Sequence, residues 1–206
     1  MALKIRNATH KDLEAIFQVE KRSYPPELQA PHKVLEERFE VFGIRIAELD
    51  EDIVGFYTCV PVHFDWGNHK KIITDITANR NPHYSHWFEQ YGKKGTFNTL
   101  LVTSTAVSSE HQHKHIGKRL VIHSLKLAEK QGLEYRASVL RVPGFRIYTK
   151  KGMDIHTYLE AVKEGEISNP TLNLYISLGF ILETPIQKYE PDRTSADYGI
   201  FAFKKS

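Results

Sequence analysis

The segment SSEHQHKHIG at residues 108–117 joins an apolar run to an amphipathic stretch and is well suited to bind an anion. A helix that begins there presents unpaired backbone N–H groups and the positive end of its macrodipole to whatever lies in front of it. Gly117 lets the backbone approach a phosphate closely, and Lys114, Lys118 and Arg119 add positive charge. The segment therefore predicts a site for a phosphate-bearing ligand.

Two common phosphate-binding motifs do not match this segment. The sequence G-x-x-x-x-G-K-[ST] of P-loop proteins and the sequence G-x-G-x-x-G of dinucleotide-binding folds are both missing from it. Neither a P-loop nucleotide hydrolase nor a Rossmann dehydrogenase is indicated.

The same segment contains the pattern H-x-H-x-H, formed by His111, His113 and His115. On an extended backbone, alternate side chains point to one side, so the three imidazoles could approach one metal ion. No cysteine, aspartate or second histidine pair is spaced to complete a ligand shell, and the histidines are in register with the anion-binding loop. We therefore predict no metal site.

The elements that must position this loop are a strand and a helix. Residues 96–107 are the most strand-like run of the chain, rich in Phe, Leu, Val and Thr. From 116 to 131, Leu120, Val121 and Leu125 lie on one helical face, and Gly132 is placed to end the helix.

Shorter strands and helices are predicted on both sides of this unit. Thr9 and Asp12 resemble a capping pair before a helix that ends at Tyr24-Pro25-Pro26, and Asn169-Pro170 can begin another helix. The remaining predicted elements are a helix at 32–42, a hairpin at 44–60, a strand at 135–140, a helix at 154–163, and closing strands at 180–182 and 198–203. Residues 63–94 show neither the helical nor the strand period of apolar residues. We therefore expect an irregular segment, either a surface insertion or a substrate-facing lid.

The amino-acid composition limits the classes of protein to which this chain can belong. The chain has 206 residues, enough for one domain, and its single cysteine, Cys59, cannot form an internal disulfide. The amino terminus has no apolar run of the signal-peptide kind, and no stretch approaches the length of a membrane span, so we expect a cytoplasmic protein. Lys and Arg are interspersed with Asp and Glu at a net charge of +3, which does not favour nucleic-acid binding.

The loop resembles a known cofactor motif. The pattern Val107-x-Ser109-x-x-Gln112-x-x-His115-x-Gly117 is similar to V-x-P-x-x-[RQ]-x-x-G-x-[GA], the acetyl-CoA motif of the GNAT superfamily of N-acetyltransferases. Ser109 replaces the proline and His115 replaces the first glycine. Because a side chain disfavours left-handed backbone, we expect His115 to keep a negative φ and its ring to point away from the cofactor.

A second match lies downstream. The run Leu174-Tyr175-Ile176-Ser177-Leu178-Gly179-Phe180 is similar to the family's L-Y-x-x-L-G-F, and the opening K-I-R-N-A-T-x-x-D-L resembles the family's start. Residues 141–180 also resemble a branch related to GNAT domains fused to nitrilase-like hydrolases. The resemblance covers nearly the whole chain, with 64–94 outside it.

The resemblance implies a fold and a reaction. The fold is α/β of the mixed α+β type: one domain at 1–206, a central and mostly antiparallel twisted sheet of six to seven strands flanked by helices, a cofactor cleft between two splayed central strands, and an irregular insertion at about 64–94. The implied reaction is direct transfer of an acetyl group from acetyl-CoA, used as co-substrate without a metal, to a primary amine.

Residue roles follow from the same resemblance. Tyr175 is implied as the general acid, and the backbone of Val107 as the contact for the thioester oxygen. The implied cofactor-binding residues are Val107, Gln112, His113, Lys114, His115, Ile116, Gly117 and Lys118. No general base is assigned, because the strand at 96–107 contains neither carboxylate nor histidine; Glu48, Glu110, Asp75 or a chain of water molecules remain open.

The implied role of Tyr175 and the implied reaction both have alternatives. Tyr175 could instead pack its helix against the sheet, and the same fold could serve as a non-catalytic acyl-CoA-binding sensor. The lysines at 118–130 are typical of a solvated helix face rather than of a nucleic-acid site. The expected partner is a small-molecule or peptide amine, with no nucleic acid and no membrane; a homodimer is left open.

Overall fold

The computed structural model describes residues 3–41, 43–78 and 97–206. The strands are β1 (Lys4–Asn7), β2 (Gly43–Leu49), β3 (Asp52–Val62), β4 (Thr99–Val107), β5 (Tyr135–Arg141), β6 (Ile181–Ile186) and β7 (Gly199–Lys205). The helices are α1 (Leu13–Ser23), α2 (His32–Val41), α3 (His69–Ala78), α4 (Ile116–Lys130), α5 (Phe145–Thr149), α6 (Ile155–Lys163) and α7 (Pro170–Ser177).

The described strands form a seven-stranded sheet in the order β1-β2-β3-β4-β5-β7-β6. Antiparallel pairing joins β1 to β2, β2 to β3, β3 to β4, and β6 to β7. The predicted mixed α/β fold with a mostly antiparallel sheet is therefore confirmed. The described residues divide into two compact units, one within the ranges 1–64, 81–136 and 206, and one within the ranges 65–80 and 137–205. The single-domain organisation expected from the sequence stays a prediction.

The first unit is built around β3 and β4. Every residue from 54 to 60 in β3 is buried, because helices cover both faces of this part of the sheet. On one face, α1 and α2 pack Ile16 and Leu35 against Phe56. On the other face, α4 packs Leu120 against Tyr57.

The start of α1 shows why the opening residues fold locally. Asp12 accepts a hydrogen bond from the backbone N–H of Thr9 at 2.7 Å and pairs with the Arg6 guanidinium, whose Nη1 lies 2.8 Å from Asp12 Oδ2. These bonds, with the Arg6 contact foremost, lower the pKa of Asp12 well below its usual range. The helix ends at Ser23, and the extended backbone of Tyr24 suits the residue before Pro25.

The second unit contains α3, α5, α6, α7, β6 and β7. Asp154 and Asn169 cap α6 and α7, each by accepting hydrogen bonds from the first backbone N–H groups of its helix. The short helix α5 was not expected from the sequence, because five residues are too few to show a helical period. Its start is fixed by hydrogen bonds from the Gly144 and Arg146 amides to the carbonyl of Thr194, which the sequence does not reveal.

The expectation of an irregular segment over 64–94 is wrong for its first part. Residues 69–78 form α3, which buries Ile72 and Ile76 one helical turn apart. The side chain of Asn68 accepts a hydrogen bond from the Lys71 amide at 3.0 Å and so caps the helix. The isoleucines at 72, 73 and 76 form too short a run to give a clear helical period, whereas the asparagine cap was a usable signal. Residues 79–94 lie outside the described residues.

Candidate functional site

The loop after β4 is tied to the neighbouring strand at its start. Val107 ends β4, and the Ser108 amide donates to the carbonyl of Val54 in β3 at 3.0 Å. A short 3-10 turn follows at Ser109–His111. The Ser108 hydroxyl lies 2.9 Å from Nδ1 of His111 and links the two ends of this turn. The chain therefore leaves the sheet in one defined direction before it reaches the helix.

Two histidines then hold left-handed backbone. His113 has a φ of 67°, and His115, at the N-cap of α4, has a φ of 58° and a ψ of 15°. The expectation that His115 keeps a negative φ is therefore wrong. The turn between the 3-10 segment and α4 requires a left-handed residue at this position, which explains why glycine suits it, and here histidine adopts that conformation at a cost of about 1–2 kcal/mol.

We call residues 113–118 the amide loop. Within the described part of the chain, no backbone N–H group of the amide loop donates a hydrogen bond. The first backbone amides of a helix have no partner within it, and a left-handed residue directly before a helix turns successive N–H groups toward one point. Backbone amides in this situation can bind an anion.

The side chains around the amide loop strengthen its positive potential. Lys114 and Lys118 are exposed and form no ion pair or hydrogen bond with any described residue. Arg119 has one of its hydrogen-bond donors already in use, because its guanidinium donates to the carbonyl of Leu3 at 2.9 Å. Ile116 is buried in the core beneath α4, so it offers the site only its amide. Exposed ammonium groups beside unpaired amides favour a ligand with more than one negative charge.

Val107 and Gly117 shape the entry to the amide loop. Ser108 hydrogen-bonds to β3 and Val107 lies opposite Gly55, so the alternation of an antiparallel ladder turns the Val107 amide away from β3. Gln112 donates its side-chain amide to the Val107 carbonyl at 3.5 Å, a long contact. A Cβ on Gly117 would have Val107 Cγ2, at 3.9 Å, as its nearest neighbour, so a side chain fits there in the free protein.

Helix α4 is held against the sheet by a partly buried polar contact. The Tyr57 hydroxyl, on β3, lies 2.9 Å from Nδ1 of His123 on α4. Burial raises the pKa of the Tyr57 phenol, and burial, with help from Arg45 and Lys126, lowers the pKa of His123. Both groups are therefore neutral at physiological pH, and the hydrogen bond fixes the register of α4 on β3.

A group of hydroxyls on the middle of β4 was missed by the sequence reasoning. The pairing of β3 with β4 shifts after Thr58, where β4 carries one extra residue, Thr103. The Thr58 and Thr103 hydroxyls lie 2.7 Å apart. The Tyr24 hydroxyl lies 3.3 Å from Ser104 Oγ and donates to the Thr105 carbonyl at 2.9 Å. The run T-S-T inside an apolar strand was the available signal, and such hydroxyls can hydrogen-bond a ligand without a charge.

The candidates for a general base differ in their ion-pair partners and in their exposure. Glu48 pairs with Arg6, with Oε2 2.7 Å from Nε of the guanidinium. Glu110 is exposed and lies 3.6 Å from Arg22. The side chain of Asp75 is outside the described part. Because the Arg6 guanidinium already occupies one oxygen of its carboxylate, Glu48 is a poor candidate.

Tyr175 lies on α7 in the second unit, whereas the amide loop belongs to the first. It is only 4% exposed, and its ring centroid lies 4.8 Å from that of Phe180 in an edge-on arrangement. The structure therefore gives the residue a packing role whatever else it does.

The three loop histidines do not form the arrangement that a metal site would need. His111 lies in the 3-10 turn and His113 and His115 have left-handed backbone, so they do not alternate along an extended segment. Among the residues that the structure describes, no group of three or more His, Cys, Asp or Glu side chains is placed to hold a metal ion. In the same part of the chain, no helix has both the length and the apolar character that crossing a membrane requires.

Comparison with known proteins agrees with this geometry. The family described as "Acetyltransferase (GNAT) family" matches residues 7–152, which include β4, the amide loop and α4 but not Tyr175. An uncharacterized N-acetyltransferase of Bacillus subtilis (strain 168), YkwB, is 28% identical over 207 residues, covering 97% of this chain and 87% of the relative. A probable hydrolase of the same organism, YhcX, is 26% identical over 199 residues; the match covers 93% of this chain but only 36% of the relative.

A solved structure shares the fold. The GphF GNAT-like decarboxylase in complex with isobutyryl-CoA is similar with a TM-score of 0.80 and 19% identity, over 98% of both chains. At 19% identity, this structural similarity is evidence for the fold alone. The family is shown by the family match, which covers well over half of the sequence. The resemblance seen in the loop motif is thereby confirmed, and the chain belongs to the acetyltransferase (GNAT) family.

Proposed function

We propose that this protein is an N-acetyltransferase that transfers the acetyl group of acetyl-CoA to a primary amine of a small molecule or peptide. The observation that carries the proposal is the amide loop, whose backbone N–H groups donate to no described residue and stand between exposed lysines. The diphosphate bridge of coenzyme A carries two negative charges on adjacent groups, which several convergent amides can bind together. Family membership supports the broader statement that the protein is an acyltransferase with an acyl-CoA co-substrate.

The cofactor-binding roles divide between backbone and side chain. His113, His115, Ile116 and Gly117 contribute their amides to the diphosphate. Lys114 and Lys118 contribute both an amide and an ammonium group. Gln112 closes the loop onto Val107 through its side-chain amide. In this arrangement the negative charge of the ligand replaces the water that otherwise solvates the loop amides.

The transfer step needs an oxyanion donor. The amine nitrogen attacks the thioester carbon, the carbonyl oxygen becomes an oxyanion, and the C–S bond then breaks to release the CoA thiolate. We assign the oxyanion contact to the Val107 amide, because the strand alternation turns it away from β3 and leaves it outside that pairing. A single fixed donor of this kind accelerates acyl transfer by about 10²–10³-fold.

The leaving thiolate needs a proton, and we assign its delivery to the phenol of Tyr175. The assignment rests on the family position of Tyr175, at the end of a helix followed by Leu178-Gly179-Phe180. Burial of the ring keeps the side chain in one orientation, as a proton donor requires.

Ligand binding tests the first half of the proposal. Acetyl-CoA and CoA should raise the melting temperature clearly more than ATP or NAD does, because only the native state binds them. Lys118→Gln should weaken acetyl-CoA binding several-fold, whereas Lys126→Gln, an exposed lysine about two turns further along α4, should leave it unchanged. Equal effects of the two substitutions would contradict the assigned site.

Turnover tests the second half. The protein is mixed with acetyl-CoA and a panel of polyamines, aminoglycosides, arylalkylamines and peptides, and release of the CoA thiol is followed. At least one amine should give saturable thiol release together with an acetylated product seen by mass spectrometry. Tight acetyl-CoA binding without thiol release across the panel would instead indicate a non-catalytic acyl-CoA sensor.

A further inference from the structure

Four hydroxyl groups meet within the first unit, on the face of β3 and β4 that α1 covers. The Thr58 and Thr103 hydroxyl oxygens lie 2.7 Å apart. The hydroxyl oxygens of Ser104 and of Tyr24, the residue after α1, lie 3.3 Å apart. Thr58 lies two residues after Phe56, which packs against α1, so strand alternation places Thr58 on the same face. Thr58 is fully buried, whereas the other three residues are half-buried and within reach of a ligand. We call these four hydroxyls the hydroxyl patch.

The hydrogen bonds of Tyr24 determine the role of Ser104. A carbonyl oxygen only accepts hydrogen bonds, so the single phenol proton of Tyr24 is the one in its 2.9 Å bond to the Thr105 carbonyl. Ser104 must therefore be the donor in its contact with Tyr24. The oxygen of Ser104 then accepts no hydrogen bond from any residue that the structure describes. Its lone pairs are available to an N–H group of a ligand.

The two threonines of the hydroxyl patch show a similar arrangement. The Thr103 hydroxyl donates to the Thr58 carbonyl at 3.4 Å, a long contact. The buried Thr58 hydroxyl has the Thr103 hydroxyl as its partner, so Thr58 is the donor between the two. The Thr103 oxygen then keeps one lone pair for a further donor. The protons of the hydroxyl patch are thus used inside the protein, and its half-buried oxygens remain as acceptors.

The hydroxyl patch lies at the same edge of β4 as the Val107 amide. Thr105 and Val107 are two residues apart in the regular part of the pairing with β3, so both turn their backbone N–H and carbonyl groups away from β3. The Tyr24 hydroxyl reaches this edge, because it donates to the Thr105 carbonyl. The contact of Ser104 with Tyr24 brings the Ser104 hydroxyl there as well.

The spacing of Ser104 and Val107 suits the attack of an amine on a thioester. Ser104 lies three residues before Val107, about 10 Å along an extended strand. Three contacts of about 3 Å each would lie between them: the thioester oxygen to the Val107 amide, the amine nitrogen to the thioester carbon, and the amine nitrogen to the Ser104 oxygen. Together with the carbonyl bond of the thioester, these contacts span about the same distance.

We propose that the Ser104 hydroxyl oxygen, oriented by Tyr24, accepts an N–H of the acceptor amine and so holds the amine nitrogen in front of the thioester. The inference rests on the proposed function and names the contact that receives the amine. Because the amine uses an N–H in this contact, its lone pair stays available for the attack. The hydroxyl patch is uncharged and offers no counter-charge to an ammonium group, so it favours the neutral form of a primary amine.

The test compares steady-state kinetics of full-length variants with an amine that the wild-type protein acetylates. Ser104→Thr and Ser104→Val introduce side chains of the same shape, of which the threonine alone keeps the hydroxyl. The valine variant should have a kcat/KM for the amine about 2- to 12-fold below that of the threonine variant, the loss expected for one neutral hydrogen bond. Both variants should bind acetyl-CoA with the same Kd.

Ser23→Ala is the matched control for the loss of a hydroxyl. Ser23 precedes Tyr24 directly, and its hydroxyl donates to the carbonyl of Val19 at 2.6 Å, within α1. This variant should match the wild type in kcat/KM for the amine, because its hydroxyl lies outside the hydroxyl patch. A loss equal to that of Ser104→Val would contradict a specific role of Ser104.

A double-mutant cycle tests the orienting role of Tyr24. Tyr24→Phe removes the phenol oxygen alone, and it should lower kcat/KM for the amine by about 2- to 12-fold in the wild-type background. In the Ser104→Ala background the same change should lower it by less, because Tyr24 acts through Ser104. Equal losses in the two backgrounds would refute this orienting role.

The failure of this inference differs from the failure of the proposed function. Equal kcat/KM values for Ser104→Thr and Ser104→Val, or a loss accompanied by weaker acetyl-CoA binding, would overturn the inference, while turnover by the wild type leaves the proposed function intact. A wild-type protein that acetylates no amine would refute the proposed function and this inference with it.

Discussion

A charge placed at Gly117 should weaken cofactor binding by an amount that can be calculated. Gly117 is the second residue of α4, and a Cβ at this position would meet only Val107 Cγ2, at 3.9 Å. Gly117→Glu and Gly117→Gln therefore both fit the free protein and differ in charge alone. A carboxylate about 5 Å from one phosphate charge costs about 1–3 kcal/mol at an effective dielectric constant between 80 and 20. The Glu variant should thus bind acetyl-CoA about 5- to 150-fold more weakly than the Gln variant.

The assay is isothermal titration calorimetry of acetyl-CoA at two salt concentrations. Because the screening length falls from about 10 Å at 0.1 M to about 3 Å at 1 M salt, the ratio of the two Kd values should shrink toward one at high salt. Without ligand, Gly117→Glu should melt no lower than Gly117→Gln, since an acidic residue in the first turn of a helix is slightly favourable. Equal Kd values for the two variants at 0.1 M salt would refute the placement of the diphosphate at this helix terminus.

Four other residues give independent predictions. His115→Gly should raise the free energy of unfolding in urea by about 0.5–1 kcal/mol, because relief of left-handed strain exceeds the entropy cost of glycine; a loss of stability would contradict the strain. Asp12→Asn should cost about 1–3 kcal/mol above pH 4. Because the folded pKa of Asp12 is depressed, the difference should begin to shrink as the pH falls below about 3.9 and should be lost only as the pH falls through the folded pKa. A constant difference would argue against the Arg6 contact. Burial raises the pKa of Cys59 to about 11, so iodoacetamide at pH 8 should label it only after unfolding, as mass spectrometry can show; rapid labelling of the native protein would contradict this burial. Tyr175→Phe should lower kcat by about 10²–10⁴-fold and leave the KM for acetyl-CoA unchanged; an unchanged kcat would leave Tyr175 a packing residue.

The sequence predicts well the features that depend on contacts among a few neighbouring residues. Asn169-Pro170 begins α7 because the asparagine side chain accepts from the Leu172 amide, a bond within one helical turn. The acidic turn at Asp50-Glu51 closes the β2–β3 hairpin, with left-handed backbone at both residues. The strand, loop and helix around the amide loop were likewise predictable, since each depends on a local pattern.

The features that the sequence does not predict depend on contacts between distant residues. The bulge at Thr103 exists only in the pairing of β4 with β3, and the contact of His69 with Glu183 joins positions 114 residues apart. His115 shows a different limit: a rule about side chains and positive φ predicts the wrong conformation, because the turn into α4 determines the backbone there. The family motif, with glycine at this position, pointed to the left-handed conformation that the rule rejected.

The central claim is that the backbone amides of residues 113–118 bind the diphosphate of coenzyme A. Hydrogen exchange of these amides, followed by NMR or mass spectrometry, tests it most directly, because in the free protein they donate to no described residue and should exchange fast. Acetyl-CoA and CoA should slow their exchange, whereas pantetheine, which lacks the diphosphate, should not. Saturating acetyl-CoA binding that leaves exchange at residues 113–118 unchanged and protects amides elsewhere would contradict the account.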